Sequence, residues 1–199
     1  MSPAPDANPA LVLASESPRR RQLLEMLGIR FRVVPPDVDE TYRNGEGPEV
    51  YVVRLARKKA SAVAARAPGE LVLGADTTVV VRGDVLGKPS SEEEAATMLA
   101  SLQGRTHQVM TGVALAAGDR VEHALDVTDV TFRPLDEATI RAYVATGEPM
   151  DKAGAYAVQG RGAILVEGIR GDFFGVMGLP LRLVLELLER FGRPYRLTR

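Results

Sequence analysis

Short apolar runs alternate along the chain with segments whose apolar residues recur every three or four positions. The run "LVLAS" at 11–15 predicts a buried strand, and "FRVVP" at 31–35 predicts a second one. The spacing of apolar residues between Val50 and Ala65 predicts a long amphipathic helix. Because such strands and helices alternate along the chain, the pattern indicates the α/β class.

Local signals give some of these elements their ends. Ser17 and Pro18 are typical of an N-cap and a first helical residue, and Gly28 is a natural stop for the same helix. Two long apolar stretches joined around Gly118-Asp119 predict an antiparallel pair, which makes the expected sheet mixed. The stretch "LVLGADTTVVVRGDVLGKP" at 71–89 predicts a strand, a break, a second strand and a turn.

Composition limits the domain count. The chain has 199 residues, of which 45% are hydrophobic and 26% charged, as in an ordinary globular protein with a sizeable core. We expect a disordered tail over residues 1–10 and a single domain over 11–199. The N-terminus lacks the basic and apolar regions of a signal peptide, and no apolar run approaches the roughly 20 residues of a membrane span. We therefore expect a cytoplasmic protein that does not enter a membrane.

Charge and cysteine content exclude several classes of function. Lys and Arg number 25 against 26 Asp and Glu, so the net charge of −1 argues against bulk binding to nucleic acid or to an anionic membrane surface. With no cysteine, disulfides and thiolate chemistry are excluded. With only two histidines, any bound metal is expected to be a hard cation with oxygen ligands.

The stretch "LASESPRRRQLLEMLG" at 13–28 places three arginines where a helix begins, the end that repels cations. A helix N-terminus offers free N–H groups to an anion, and the hydroxyls of Ser15 and Ser17 and the guanidinium groups of Arg19 and Arg20 add donors suited to phosphate oxygens. The segment is therefore a candidate phosphate site. The alternative is a solvated basic face.

Two acidic positions are candidates for metal binding. Asp76 directly follows an apolar run, and the carboxyl ends of strands line the ligand crevice of α/β sheets. Asp76 could hold Mg²⁺ or orient a water molecule, or it could equally be a turn or cap residue. Glu40 lies in an acidic loop, where it is either solvated or, together with Asp76, a source of hard-metal oxygens.

Further candidates are scattered through the chain. Lys58 and Lys59 are adjacent on the predicted helix, so only one can face a given pocket. Lys88 lies in a turn between Gly and Pro. Gln159 lies in a Gly-rich segment, and its amide can both donate to and accept from a base edge. His107 could bind a ligand or merely belong to a strand. Oxygen ligands and scattered cations together suit phosphoanhydride chemistry.

Taken in order, several motifs resemble those of the Maf family of nucleotide pyrophosphatases, over about residues 11 to 190. They are "LASESPRRRQLLEMLG", "VDE", "YVVRLARKKA", "LGADTTVVVRGDVLGKP", "MLASLQGRTHQVMTGVAL", "TGEPMDKAGAYAVQG" and "GLPL". The resemblance implies an elongated mixed α/β fold akin to inosine triphosphate pyrophosphatase, with a cleft between two lobes. It also implies a homodimer that hydrolyses a nucleoside triphosphate to monophosphate and pyrophosphate with Mg²⁺ or Mn²⁺.

The resemblance carries residue roles with it. Asp76 looks like the family's proton acceptor and Glu40 like a metal-site carboxylate, although the sequence leaves open whether Asp76 is a base or a metal ligand. The remaining matches are phosphate-binding cations and hydroxyls, at Arg20, Lys59, Lys88, Ser15 and Ser17.

Arg19, Thr77 and Gln159 resemble the subfamily that acts on dTTP and UTP. Two other substrate classes stay open, 7-methyl-GTP and deaminated purines such as ITP. A different kind of function is a non-catalytic, nucleotide-binding regulator of septum formation, since the family also carries that label.

Overall fold

The computed structural model describes residues 10–197 as a mixed sheet flanked by helices, which confirms the α/β class. The strands are β1 Leu11–Ala14, β2 Phe31–Val33, β3 Val72–Val81, β4 Asp84–Leu86, β5 Thr106–Ala117, β6 Arg120–Phe132 and β7 Val166–Arg170. The helices are α1 Pro18–Met26, α2 Pro48–Ala64, α3 Glu92–Leu102, α4 Glu137–Val144, α5 Phe173–Val176 and α6 Leu181–Arg190, with short 3-10 turns at Glu148–Asp151, Ala153–Ala155 and Gly160–Leu165. Apart from Ala10, the tail expected at 1–10 lies outside the described residues.

The seven strands form one sheet with parallel and antiparallel neighbours. Its order is β2, β1, β3, β5, β6 and β7, and β4 pairs with β3 outside that order. β1 is parallel to both of its neighbours, with Val12 opposite Arg32 on β2 and Val72 on β3. β4 is antiparallel to β3, and β7 is antiparallel to β6. The turn at residues 118–119 joins β5 to β6, as the sequence predicts.

Two compact units share this chain, and each has its own core. Within the described residues, the first comprises residues 10–76, Thr111–Asp126 and residues 178–197, and the second comprises Thr77–Met110 and Val127–Met177. Small residues dominate one apolar cluster of the first unit, where alanines of α2 meet alanines and valines of the strands. Larger side chains fill the second unit, with Phe132 and several leucines at its centre. The expected elongated outline and cleft stay predictions.

The ends of α1 follow the predicted signals. The Ser17 side chain accepts from the backbone N–H of Arg20, Pro18 occupies the first turn, and Gly28 adopts the left-handed conformation (φ 65°) that ends the helix. α2 begins two residues before the predicted start and buries Ala56 and Ala60 as expected.

The predicted break near Asp76 is wrong. β3 runs unbroken from Val72 to Val81, so Asp76 lies inside a strand and does not follow one. The glycine and the aspartate that suggested a break serve tertiary contacts instead, and β-branched residues from Thr77 onward favour an extended chain. None of the helices over residues 10–197 is long and apolar enough to cross a membrane.

Candidate active site

Lys59 joins the two acidic candidates. Its Nζ lies 2.7 Å from Oδ1 of Asp76 and 2.8 Å from Oε1 of Glu40. The side chains of Lys59 and Asp76 are only 7% and 9% exposed, whereas that of Glu40 is 51% exposed. The two carboxylates therefore converge on one cation, with Asp76 buried and Glu40 facing solvent. Both carboxylates were predicted as a pair of oxygen ligands, and the structure brings them together.

Close approach of helix α2 to strand β3 makes this ion pair possible. A Cβ added to Gly74 would lie 2.4 Å from the carbonyl oxygen of Ala56 and 2.7 Å from the amide nitrogen of Ala60, so only glycine fits there. Residues two apart on a strand face the same side, which directs Asp76 toward α2 as well. On β5, Gly112 lies equally close to the α2 backbone at Val52. Lys59 and Asp76 thus meet because two glycines let the helix sit low on the sheet.

Beside these residues, the start of α1 forms a hydrogen-bonded cluster. Arg20 is buried, and it donates from Nε to the carbonyl of Gly178 at 2.8 Å and from Nη1 to Oγ of Ser15 at 3.1 Å. The backbone N–H of Ser17 also donates to Oγ of Ser15, at 3.2 Å. Of the three consecutive arginines, only Arg20 turns inward, while Arg19 is half-buried. Hydroxyls and a guanidinium group therefore gather at a helix N-terminus, as predicted for a phosphate site.

The electrostatics link this cluster to the carboxylates. Burial raises the pKa of Asp76, and the opposing attraction of Lys59 and Arg20 only partly offsets it. Burial likewise lowers the pKa of Arg20, against the attraction of Asp76 and Glu40. A carboxylate with a raised pKa accepts a proton more readily near neutral pH. The arrangement can therefore hold anionic groups through its cations and take up a proton at Asp76.

Three other predicted site residues belong to the second unit. Thr77 follows Asp76 along β3 and is half-buried, with its side chain on the opposite face of the strand. Lys88 is exposed in the loop after β4, where the carbonyl of Gly87 accepts from the N–H of Gly154 at 3.0 Å. Gln159 is half-buried and precedes the 3-10 turn Gly160–Leu165. That these three share a site with Lys59 stays a prediction.

The sequence does not identify Glu148, whose carboxylate accepts hydrogen bonds from the backbone just after Gln159. Oε1 of Glu148 accepts from the Tyr143 hydroxyl and from the N–H of Gly162, both at 2.9 Å, and Oε2 accepts from the N–H of Arg161 at 3.1 Å. These bonds fix the backbone just after Gln159. Only the density of Gly and polar residues around Glu148 indicated an ordered loop there.

No group of three or more Asp, Glu and His side chains able to hold a metal occurs within residues 10–197. Glu40 and Asp76 form a pair of hard oxygen donors. This suits a cation that takes its other ligands from phosphate oxygens and water.

Known proteins match the chain over most of its length. The family model described as Maf-like protein matches residues 10–191. Relatives named dTTP/UTP pyrophosphatase are 58% identical in Moorella thermoacetica, 56% in Myxococcus xanthus and 54% in Symbiobacterium thermophilum; each match covers 92% of this chain and 93–95% of the relative. A solved Ham1 protein of Staphylococcus aureus is 16% identical with a TM-score of 0.49, over 92% of this chain and 97% of that one. By its sequence match, the chain belongs to the Maf family.

Proposed function

We propose that this protein hydrolyses dTTP, UTP and modified pyrimidine nucleoside triphosphates to the nucleoside monophosphate and pyrophosphate. The observation that carries the proposal is the sharing of Lys59 Nζ by Asp76 and Glu40, next to the buried Arg20. Cations and hydroxyls for phosphate thus lie beside a buried carboxylate that can accept a proton. The names of the relatives support the choice of substrate.

In the proposed reaction, Asp76 takes a proton from a water molecule while the oxygen of that water molecule forms a bond to the α-phosphorus. The bond from that phosphorus to the oxygen bridging it to the β-phosphate breaks, and pyrophosphate leaves with the electron pair. Lys59 holds the Asp76 carboxylate in place through the 2.7 Å bond. Since phosphoryl transfer depends on positioning and charge stabilisation, a rigid buried ion pair suits this role.

The phosphates would bind at the start of α1. Ser15, Ser17 and Arg20 already form one hydrogen-bonded cluster there, and Arg19 adds a further cation. Lys88 would bind the leaving pyrophosphate. Glu40 would hold Mg²⁺ or Mn²⁺ together with phosphate oxygens, and the metal would offset negative charge as it develops on those oxygens.

The base would be read by Gln159 and Thr77. A pyrimidine offers two carbonyl acceptors and, in thymine and uracil, one N–H donor, which an amide and a hydroxyl can satisfy together. The backbone bonds to Glu148 next to Gln159 support a fixed orientation of that segment.

The protein is further proposed to be a homodimer located in the cytoplasm. Analytical ultracentrifugation tests the oligomeric state, and cell fractionation tests the location.

The first experiment is hydrolysis of a nucleotide panel by the purified protein with Mg²⁺ or Mn²⁺. The panel contains dTTP, UTP, CTP, 7-methyl-GTP and ITP, and the assay separates pyrophosphate from single-phosphate release. We expect pyrophosphate from dTTP and UTP. Pyrophosphate mainly from another nucleotide would retain the reaction and refute the roles of Arg19, Thr77 and Gln159. A folded, metal-loaded protein that hydrolyses none of them would favour the non-catalytic regulator.

Asp76→Asn tests the proton acceptor in the same assay. We expect turnover to fall by about 10²–10⁴-fold while the circular dichroism spectrum stays that of the wild type. Asp119→Asn is the matched control, because Asp119 is exposed in the turn between β5 and β6. Near-normal turnover of Asp76→Asn would refute the assignment of Asp76.

A further inference from the structure

The segment that carries Glu40 has no secondary structure of its own. Residues 34–47 form neither helix nor strand, and the Glu40 side chain is half-exposed, so burial does not fix it. Fixing such a segment costs backbone entropy that other contacts must offset. Yet Oε1 of Glu40 lies 2.8 Å from Nζ of Lys59. Contacts elsewhere in the segment must therefore supply the order.

Three side chains of α2 supply it by donating to three successive backbone carbonyls. Lys58 Nζ donates to the carbonyl of Asp39 at 2.8 Å, the Tyr51 hydroxyl to that of Glu40 at 3.2 Å, and Arg54 Nη2 to that of Thr41 at 3.1 Å. Tyr51, Arg54 and Lys58, called the clasp below, are spaced three and four residues apart and so lie on one face of the helix. The clasp thus donates hydrogen bonds to the backbone carbonyl of Glu40 and to those of the residues before and after it.

Arg54 also fastens the far end of the segment. Its Nε and Nη2 donate to the two carboxylate oxygens of Glu46 at 2.6 Å and 2.7 Å, the paired geometry that guanidinium and carboxylate favour. The Glu46 side chain is only 6% exposed. The Tyr42 hydroxyl donates to the Glu46 carbonyl, and the Tyr42 ring meets that of Tyr51 edge to face at 4.9 Å. One guanidinium group therefore ties Thr41 and Glu46 together.

The same helix carries Lys59, which points to Asp76 and Glu40. Adjacent helical residues point in different directions, so α2 directs Lys58 to the backbone of the segment and Lys59 into the site. One rigid element thus sets the position of the cation and of the segment that meets it.

We propose that Tyr51, Arg54 and Lys58 are positioning residues that hold the Glu40 carboxylate in the geometry that the hydrolysis needs. This inference rests on the proposed function. Arg54 is central to it, because its guanidinium group contacts the segment both at Thr41, next to Glu40, and at Glu46, near the start of α2. In this proposal Glu40 itself acts at the substrate, whereas the clasp affects the reaction only by fixing the position of Glu40.

The test is a double-mutant cycle between Arg54→Ala and Glu40→Gln, measured as kcat and KM for dTTP. We expect Arg54→Ala to lower kcat by about 10- to 100-fold, since small misplacements of reacting groups cost that much. In the Glu40→Gln background the same change should lower kcat by less than about twofold, because the residue that it positions is already disabled. Equal losses in both backgrounds would overturn the inference.

Two further variants make the cycle specific. Arg57→Ala, on the exposed side of α2, should leave kcat unchanged and controls for the loss of an arginine from this helix. Tyr51→Phe removes only the hydroxyl that contacts the Glu40 carbonyl, so it tests the same inference even where Arg54→Ala destabilises the protein. We expect a several-fold fall in kcat for Tyr51→Phe, and unchanged kcat would count against the clasp.

Amide hydrogen exchange provides a readout that does not depend on hydrolysis. The amides of Thr41 and Glu46 are hydrogen-bonded within the segment, so they report its order. In Arg54→Ala we expect both to exchange at least about tenfold faster, with unchanged exchange in β3. Unaltered exchange of the segment would overturn the clasp whatever the activity. A wild-type protein that hydrolyses no nucleotide would instead refute the proposed function, and exchange would still decide whether the clasp holds the segment.

Discussion

Each of the two units buries a pair of polar side chains, at nearly the same bond length but with different charge. In the first unit, Lys59 Nζ and Asp76 Oδ1 are 2.7 Å apart. In the second, His107 Nε2 and the Tyr156 hydroxyl are 2.8 Å apart. Measured over whole residues, the exposed fractions are similar, 6% for Lys59 and 7% for Asp76 against 2% for His107 and 5% for Tyr156. Neither distance nor burial therefore distinguishes the ionic pair, which is proposed to take part in hydrolysis, from the neutral one.

Their surroundings make the difference. Lys59 and Asp76 have further charged neighbours: Glu40 forms an ion pair with Lys59, and Arg20 attracts the carboxylate of Asp76. Aromatic rings surround the other pair, with Phe132 edge-on to His107 at 5.0 Å and to Tyr156 at 4.7 Å.

His107 Nδ1 has no hydrogen-bond partner within the described part of the chain. Burial lowers the pKa of His107 to about 4, so the ring is neutral at pH 7. The two pairs therefore differ in their neighbours: charged groups lie beside the pair that is proposed to react, and aromatic rings lie against the pair that is neutral.

Removing the cation of the charged pair should have the largest effect. Lys59→Met leaves Asp76 buried without its ion-pair partner, and we expect the free energy of unfolding to fall by about 3–5 kcal/mol at pH 8. The loss should shrink at acidic pH, because protonation removes the charge of Asp76. Urea denaturation at both pH values measures it.

The control for Lys59→Met is Arg57→Gln, which removes a cation from the exposed side of α2 and should change stability by less than about 0.5 kcal/mol. Adding Asp76→Asn to Lys59→Met should recover part of the lost stability, because the buried negative charge is gone. A double variant that is less stable than Lys59→Met would contradict a pair held by opposite charges.

The neutral pair should instead make stability depend on pH. His107 has a pKa near 4 when folded and 6.5 ordinarily, so between these values the unfolded chain binds more protons. The free energy of unfolding should therefore fall by about 3 kcal/mol on His107's account as the pH drops from above 6.5 to below 4. Urea denaturation at intervals of half a pH value across that window measures the fall.

His107→Phe isolates this contribution, because phenylalanine does not titrate. The difference between the pH profiles of the wild type and His107→Phe gives the part due to His107. The matched control is His123→Phe, which changes the other histidine, an exposed residue, and should keep the wild-type pH dependence. Parallel profiles for the wild type and His107→Phe would show that His107 does not resist protonation.

Gly74→Ala tests how the charged pair is assembled. The added methyl group would lie 2.4 Å from the Ala56 carbonyl oxygen, so α2 must shift away from β3. We expect a loss of about 2 kcal/mol of stability and lowered turnover, since Lys59 moves with the helix. Gly168→Ala on β7 is the control, because a Cβ there meets nothing within 4 Å. Equal stability of the two variants would remove the packing argument.

Sequence patterns predict local features of the backbone well. The cap at Ser17, the stop at Gly28 and the turn at residues 118–119 depend on neighbouring residues alone, and all three are confirmed. That only one of Lys58 and Lys59 is buried follows from helical geometry. Such features need no knowledge of distant parts of the chain.

Several features that depend on distant contacts escape prediction from the sequence. The apolar run before it predicts that Asp76 directly follows a strand. In the structure Asp76 lies inside β3 and accepts a hydrogen bond from Lys59, seventeen residues earlier along the chain, while Gly74 lies against α2. Likewise, only the structure shows that the Glu148 carboxylate accepts hydrogen bonds from the backbone N–H groups of Arg161 and Gly162. In each case the partner is chosen by the fold.

The smallest expected effect belongs to the neutral pair and completes the comparison. Tyr156→Phe removes the hydroxyl bound to His107 Nε2 and leaves that nitrogen buried without a partner. We expect stability to fall by about 1 kcal/mol, the cost of one unsatisfied neutral group. In the His107→Phe background the loss should nearly vanish, because the partner is already absent. Turnover of dTTP should stay within about twofold of the wild type, since the proposed reaction assigns no step to this pair. A large fall in turnover without loss of stability would show that a buried neutral pair can serve the reaction too, and that charged neighbours are not what distinguishes the two pairs.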